Sequence, residues 1–184
     1  TSGGGALLSN DESLIGKARF LATQARDNAP HYQHSKIGYN YRMSNILAGI
    51  GRGQMEVIGD RIKRRRENFH YYKSFLQGID GITFQEEPDS KFFSNHWLTA
   101  VLVDPQKVGK SRLELQATLT DNLIESRPLW KPMHLQPVFS HCPAYLNGVS
   151  ENFFNKGLCL PSGSNMTDEE RQMVLDVVLS CLRT

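Results

Sequence analysis

From Gly38 to Leu76 the chain reads as a tight aromatic and polar turn running without a break into a long amphipathic helix, and that run limits the fold most. Leu47, Gly51, Met55, Ile58, Ile62, Arg65, Phe69, Tyr72 and Leu76 recur at spacings of three or four, which sets them on one helical stripe. Ser44 is the expected N-cap. Ala48, Gly49, Gly51 and Gly53 weaken the helix, by about 1 kcal/mol for each interior glycine relative to alanine. Such small residues predict close packing against another backbone; the other reading is a bend or break at Gly51 to Gly53.

A chain of 184 residues, 39% hydrophobic and 22% charged, holds one sizeable core, or a small domain with a piece of another. With a net charge of +2, composition makes no demand for nucleic acid or an anionic membrane as partner. No apolar run reaches a membrane span, and no secretory signal opens the sequence. Three scattered cysteines, Cys142, Cys159 and Cys181, fit a reducing compartment rather than a disulfide scaffold, and the leucines around them suggest simple burial. The expected location is cytoplasmic. The opening TSGGGALLSND reads as the end of a loop, a short strand at Ala6 to Leu8 and a turn, as in the middle of a longer sequence.

Along the chain, Glu12 to Arg26 is helical in pattern, capped by Asp11 or Ser13. The long helix is predicted over Ser44 to Leu76. Beyond Gly78 the texture changes to alternating strands and helices: strand signals at Ile79 to Phe84, Trp97 to Val103 and Gly157 to Leu160, and helical patterns at Ser111 to Asn122 and Tyr145 to Asn155. Thr167 and Glu170 form a capping box for a last helix whose buried stripe is Met173, Val174, Val177, Val178 and Cys181. The division expected is residues 1–78, the tail of a larger domain with its connecting helix, and 79–184, a small α/β domain.

Three clusters carry chemistry. Asn40, Tyr41 and Arg42 place an amide, a phenol and a guanidinium before a helix start, where free backbone N–H groups favour an anion such as phosphate. An ordinary turn, with Asn40 at an unusual φ and Arg42 paired to a carboxylate, explains the same residues equally well. Arg127, Trp130, Lys131 and His134 join cations, an imidazole and an aromatic on a proline-stiffened loop, which suits an anionic ligand with a flat or apolar body. Loops of this composition also occur at interfaces. His134, His141 and Cys142 are metal-ligand types without a zinc spacing, His31 and His34 read as solvated, and no metal is expected. The basic run Arg61, Lys63, Arg64, Arg65 and Arg66 goes around its helix and reads as a solvated face with a few ion pairs.

TSGGGALLSND, GYNYRMSNILAGIGRGQMEVIGDRIKRRRENFHYY, IESRPLWKPMHLQPVF and GLCLPSG with MTDEE follow one another as in a known family. The chain resembles the C-terminal half of the pyridoxal-phosphate-dependent sugar-nucleotide aminotransferases (the DegT/DnrJ/EryC1/StrS family). The pattern is similar to the branch that aminates UDP-linked 4-keto-6-deoxy-N-acetylhexosamines, as in bacillosamine synthesis. The resemblance implies a fold type I enzyme, with a large cofactor domain built on a mostly parallel seven-stranded sheet, largely absent here, and a small C-terminal α/β domain. It implies a homodimer with active sites at the subunit interface, pyridoxal 5'-phosphate as cofactor and glutamate as donor. By the same resemblance Asn40 reaches the cofactor phosphate of the partner subunit, Arg42 lies beside it, and Arg127, Trp130, Lys131 and His134 contact the sugar nucleotide. The lysine that anchors the cofactor is expected upstream of Thr1, so these residues alone are expected to be inactive.

Three rival readings separate cleanly. A lysine-less dehydratase or a C3 aminotransferase keeps the family and changes the chemistry. A non-catalytic dimerisation or nucleotide-binding module binds the sugar nucleotide without a chromophore. A helical nucleic-acid binder requires steep salt dependence.

Overall fold

The first helix, α1 (Glu12–Ala22), starts where the Asp11 carboxylate accepts the Leu14 N–H at 3.0 Å, the Asp11 cap that the sequence offered. In this computed structural model, which describes residues 3–183, the chain falls into two compact units, one up to Ile58 and one from Gly59. Residues Ala6 to Leu8 form no strand; they run exposed and unpaired, because no neighbouring chain segment completes a ladder. Helix α1 also stops at Ala22 rather than Arg26, since Gln24 and Ala25 take positive φ values of 67° and 49°.

Helix α2 (Asn45–Glu56) is capped as expected, the Ser44 hydroxyl accepting the Leu47 N–H at 3.3 Å. Here the long-helix reading needs correction. The ladder breaks at Val57, and α3 (Ile58–Leu76) begins immediately after it. Gly51 and Gly53 remain inside α2, so the break is not at the glycines. A Cβ at Gly49 or Gly53 would meet open space, so no close approach to another backbone of this chain explains either residue. Among the described residues of the first unit only Ala25 is buried, and Ile46, Ile50 and Met55 on α2 are exposed.

The second unit builds its core on an antiparallel sheet of order β1-β2-β4-β3, with β1 at Ile82–Phe84, β2 at Thr99–Val103, β3 at Arg127–Pro128 and β4 at Gly157–Leu160. Register pairs Phe84 with Val101, Val101 with Leu158, and Arg127 with Cys159. Thr99, Val101 and Val103 alternate inward on β2, as period two dictates, whereas Trp97 lies outside the strand and is exposed. The short α4 (Pro105–Val108) follows β2 and leads to α5 (Arg112–Asp121), whose Ser111 and Glu114 complete a capping box.

After β3 come two single 3-10 turns, Met133–Leu135 and Pro137–Phe139; then α6 (Val149–Lys156) packs on β2 and β4. The last helix, α7 (Asp168–Arg183), opens on the expected box, with Thr167 and Glu170 exchanging backbone-to-side-chain bonds of 2.8 and 3.2 Å. The core joins Tyr72 and Leu76 of α3, Leu115 and Leu119 of α5, and Val174, Leu175, Val178 and Cys181 of α7 to the inner face of the sheet. Leu175 replaces Met173 in the expected stripe of α7, Met173 being exposed. On α5 Leu115 is buried and Leu113 exposed. Cys159 and Cys181 are buried as expected, and Cys142 is exposed.

Candidate functional site

The Asn40 segment is held by the end of α1. The Ala25 N–H reaches back to the Phe20 carbonyl at 2.9 Å, one of the two bonds that close a left-handed helix terminus. The second such bond would run from Gln24 N–H to Leu21 C=O; instead residues 39–41 supply the partners. Leu21 C=O accepts the Tyr39 N–H at 2.9 Å, Ala22 C=O accepts the Tyr41 N–H at 3.0 Å, and Gln24 N–H donates to Tyr39 C=O at 3.1 Å. One antiparallel bridge, Thr23 opposite Asn40, results.

Tyr39 and Tyr41 stack with centroids 5.4 Å apart, so alternation along the extended segment turns Asn40 to the other side. Asn40 is exposed, takes no positive φ, and among the described residues neither its side chain nor the Arg42 guanidinium has a hydrogen-bond or ion-pair partner. The ordinary-turn reading therefore lacks both of its supports. An amide and a guanidinium left unpaired on a pinned strand suit the oxygens of a phosphate. His34, read as solvated, hydrogen-bonds Gln24 C=O through Nδ1 at 2.9 Å and so braces the same turn.

In the second unit, a cavity of about 960 Å³ is bordered by Trp97, Trp130, Arg127, Lys131, Pro161 and Met166. The two indoles lie 6.0 Å apart at 37°, and both are more than half exposed. Gly157 lets Leu129 approach, since a Cβ there would fall 2.2 Å from Leu129 Cδ1. Arg127 of the predicted cluster is occupied: Glu125 accepts its Nε and Nη2 at 2.9 and 2.6 Å in a mostly exposed pair. The Lys131 ammonium is exposed and has no partner among the described residues.

Arg65 and Arg66, read from sequence as part of a solvated face with a few ion pairs, are both half-buried: Arg65 borders this cavity, and Arg66 forms one of the expected ion pairs beside the loop between β1 and β2. Arg65 Nη1 donates to the carbonyls of Trp97 and, at 3.3 Å, Ser162, tying together two loops at the cavity. Arg66 Nη1 donates to Glu87 at 2.7 Å and to Ser94 C=O, while Glu87 also accepts the Ser94 N–H at 2.6 Å. The Arg66 guanidinium and then the Ser94 N–H hold the Glu87 carboxyl down to about 2. His96, buried and stacked on Phe69 at 3.7 Å, is held below its ordinary value by burial first and by Arg66 second.

His134 Nε2 lies 2.9 Å from Glu151 Oε1 on α6. His141 and Cys142 do not join it in a ligand set, and among the described residues no group of three or more His, Cys, Asp or Glu side chains is close enough to hold a metal ion. Sequence reasoning missed Trp97, Arg65 and Glu151 as site residues. Trp97 sits at the mouth of a strand, a detectable signal, but the partners of Arg65 and Glu151 are far away in sequence. Asn40 and Arg42 belong to the first unit and Arg127, Trp130, Lys131 and His134 to the second.

The profile of the DegT/DnrJ/EryC1/StrS aminotransferase family matches residues 1–179. EpsN of Bacillus subtilis (strain 168), which bears the name of a pyridoxal phosphate-dependent aminotransferase, is 49% identical over 100% of this chain and 47% of its own length. A GDP-perosamine synthase of Escherichia coli O157:H7 is 32% identical over 92% of this chain and 45% of its own. The chain thus spans about half the length of the curated relatives it matches. Among solved structures, the aminotransferase TlmJ of Streptoalloteichus hindustanus superposes with a TM-score of 0.84 at 23% identity, over 95% of this chain and 46% of that one. DesI, solved in the presence of its TDP-sugar product, gives 0.80 at 22% identity, over 95% and 44%. These two likenesses establish the fold alone; with the family match, that fold is the C-terminal part of a fold type I aminotransferase, including its small α/β domain.

Proposed function

The chain belongs to the DegT/DnrJ/EryC1/StrS aminotransferase family, and from that premise we propose that it is the C-terminal half of an enzyme that aminates a nucleotide sugar. The substrate class we propose is a UDP-linked 4-keto-6-deoxy-N-acetylhexosamine, aminated at the C4 ketone with glutamate as donor. The observation that carries the reading is the Asn40–Arg42 segment: an amide and a guanidinium, both unpaired among the described residues, on a stretch tied by backbone bonds to the end of α1.

Pyridoxal 5'-phosphate is the family's cofactor and, when bound, supplies the electron sink through which an amino group moves from an amino acid to a ketone. The residues of this chain have binding work to do. Asn40 donates its amide N–H to a phosphate oxygen, and Arg42 offsets the phosphate charge beside it. Trp130 presents an apolar face to the hexose or base, and Lys131 offers an unpaired cation to the diphosphate. Arg127, committed to Glu125 in a solvent-exposed pair, exchanges that partner for the diphosphate at little cost. His134 contacts the sugar.

The proton-moving lysine belongs, in this reading, to the part of the relatives' length that the chain does not span, so these residues alone do not catalyse. A homodimer fits the exposed apolar pair Ile46 and Ile50, one turn apart on α2. A cytoplasmic location accords with the nucleotide-sugar substrate.

The test is to incubate the full-length protein, loaded with pyridoxal 5'-phosphate, with glutamate and the UDP-linked 4-ketosugar. The expected result is the 4-amino sugar nucleotide with stoichiometric 2-oxoglutarate, and a cofactor bound more weakly in Asn40→Ala. Amination of a GDP-linked ketosugar in its place overturns the substrate class. A full-length protein that binds no cofactor overturns the enzyme.

A further inference from the structure

We propose that Glu151 is a positioning residue for His134, fixing which imidazole nitrogen the site presents to its ligand. His134 stands on a single 3-10 turn, Met133–Leu135, that no side chain caps and that Pro132 and Pro137 bracket. Packing holds the largely buried ring in place, but it does not choose which nitrogen carries the proton, since the two tautomers have the same heavy-atom shape. The only hydrogen bond to the His134 ring among the described residues is the 2.9 Å contact from Nε2 to Glu151 Oε1.

The anchor at the other end is firm. Glu151 lies in the first turn of α6, where a negative charge complements the helix dipole, and α6 packs on β2 and β4 at the centre of the sheet. The His134 side chain is 15% exposed and that of Glu151 39%, so the bond is shielded from water on the histidine side.

The chemistry then follows from the donor inventory. An ionised carboxylate only accepts, so Nε2 must carry the proton. In the neutral ring Nδ1 is left with its lone pair, and among the described residues nothing donates to it. His134 therefore presents one defined acceptor, suited to a hydroxyl group, rather than two interchangeable tautomers. Resting on the reading that His134 touches the sugar nucleotide, this assigns Nδ1 to a hexose hydroxyl and gives Glu151 the task of holding it there.

Two measurements test the assignment. In this chain labelled with 15N at histidine, at pH 8, His134 is expected as a single Nε2–H tautomer; Glu151→Ala is expected to give a tautomer mixture, as is Glu151→Gln, whose amide can accept from Nε2–H or donate to a bare Nε2. In the full-length enzyme with pyridoxal 5'-phosphate, Glu151→Ala is expected to raise the KM for the sugar nucleotide about tenfold with kcat nearly kept and the KM for the amino donor unchanged, and Glu151→Gln, which holds the ring without fixing its tautomer, to lie between that variant and the parent.

A single tautomer that persists in Glu151→Ala overturns the proposal, as does an equal loss of kcat and of affinity for both substrates, the mark of a loosened fold. If His134→Ala changes the KM for the sugar nucleotide and Glu151→Ala does not, the proposal fails and the site reading stands. If His134→Ala leaves that KM unchanged, it is the site reading that fails.

Discussion

A side chain at Gly38 would place its Cβ 2.5 Å from the Ala25 backbone nitrogen and 2.7 Å from the Ala25 Cβ. The segment that carries Asn40 is thus pressed onto the left-handed end of α1, and the only buried residue described in the first unit lies at that contact.

Gly38→Ala is expected to separate the two. The clash is with backbone, which does not yield as a flexible side chain would, so a cost of about 1–3 kcal/mol is expected. The bonds lost first are those of the Tyr39 and Tyr41 N–H groups to Leu21 and Ala22. Amide exchange at Tyr39 and Tyr41 should accelerate about tenfold for each 1.4 kcal/mol, while the amides of β2 and β4 keep their protection.

Acid should loosen the loop between β1 and β2 in two stages. His96 is kept neutral in the fold, so its contribution is complete above its ordinary value of 6.5 and declines as pH falls below that, through its lowered folded value. Glu87 contributes fully above its ordinary 4.5, and that contribution is lost as pH falls toward about 2. Emission from Trp97, near the end of this loop, should report both stages. Glu87→Gln should remove the lower one and leave the upper.

Leu175→Ala should destabilise the second unit by about 2–5 kcal/mol, because Leu175 is buried among α5, α7 and the sheet. Met173→Ala, on the exposed side of the same helix, should stay within about 0.5 kcal/mol of the parent. Thermal unfolding of the two variants checks the difference, at roughly 2–4 °C for each kcal/mol.

Arg65→Lys should cost about 1–3 kcal/mol although it keeps the charge. The ammonium sits on a different stem and lacks the planar donor that reaches both the Trp97 and the Ser162 carbonyls. Red-shifted tryptophan emission with an otherwise native circular dichroism spectrum is the expected signature.

Much of this was legible in the chain because the signals are local. Asp11, Ser44, Ser111 and the Thr167–Glu170 box sit within a turn of the N–H groups they satisfy. The alternation of Thr99, Val101 and Val103 names the inner face of β2 without reference to its neighbours. The family was legible too, because its motifs are contiguous and ordered, and with it came the residues expected to bind phosphate and sugar.

What the sequence could not weigh was which competing partner wins. A helical stripe continues through Val57 in the residue pattern, yet the ladder breaks there, and burial of that stripe starts only at Phe69. Met173 and Leu175 are equally apolar, and only the position of α5 and the sheet selects Leu175 for the core.

The sequence by itself determined the caps, the inner face of β2 and the family, all of them written in residues a few positions apart. Tertiary structure alone decided that residues 39–41 finish the end of α1, that Arg65 joins Trp97 to Ser162, and that Glu151 meets His134. Those pairs are separated by stretches of chain that carry no record of each other. A hydrogen bond across such a distance forms only after loop closure and core packing have brought its ends together.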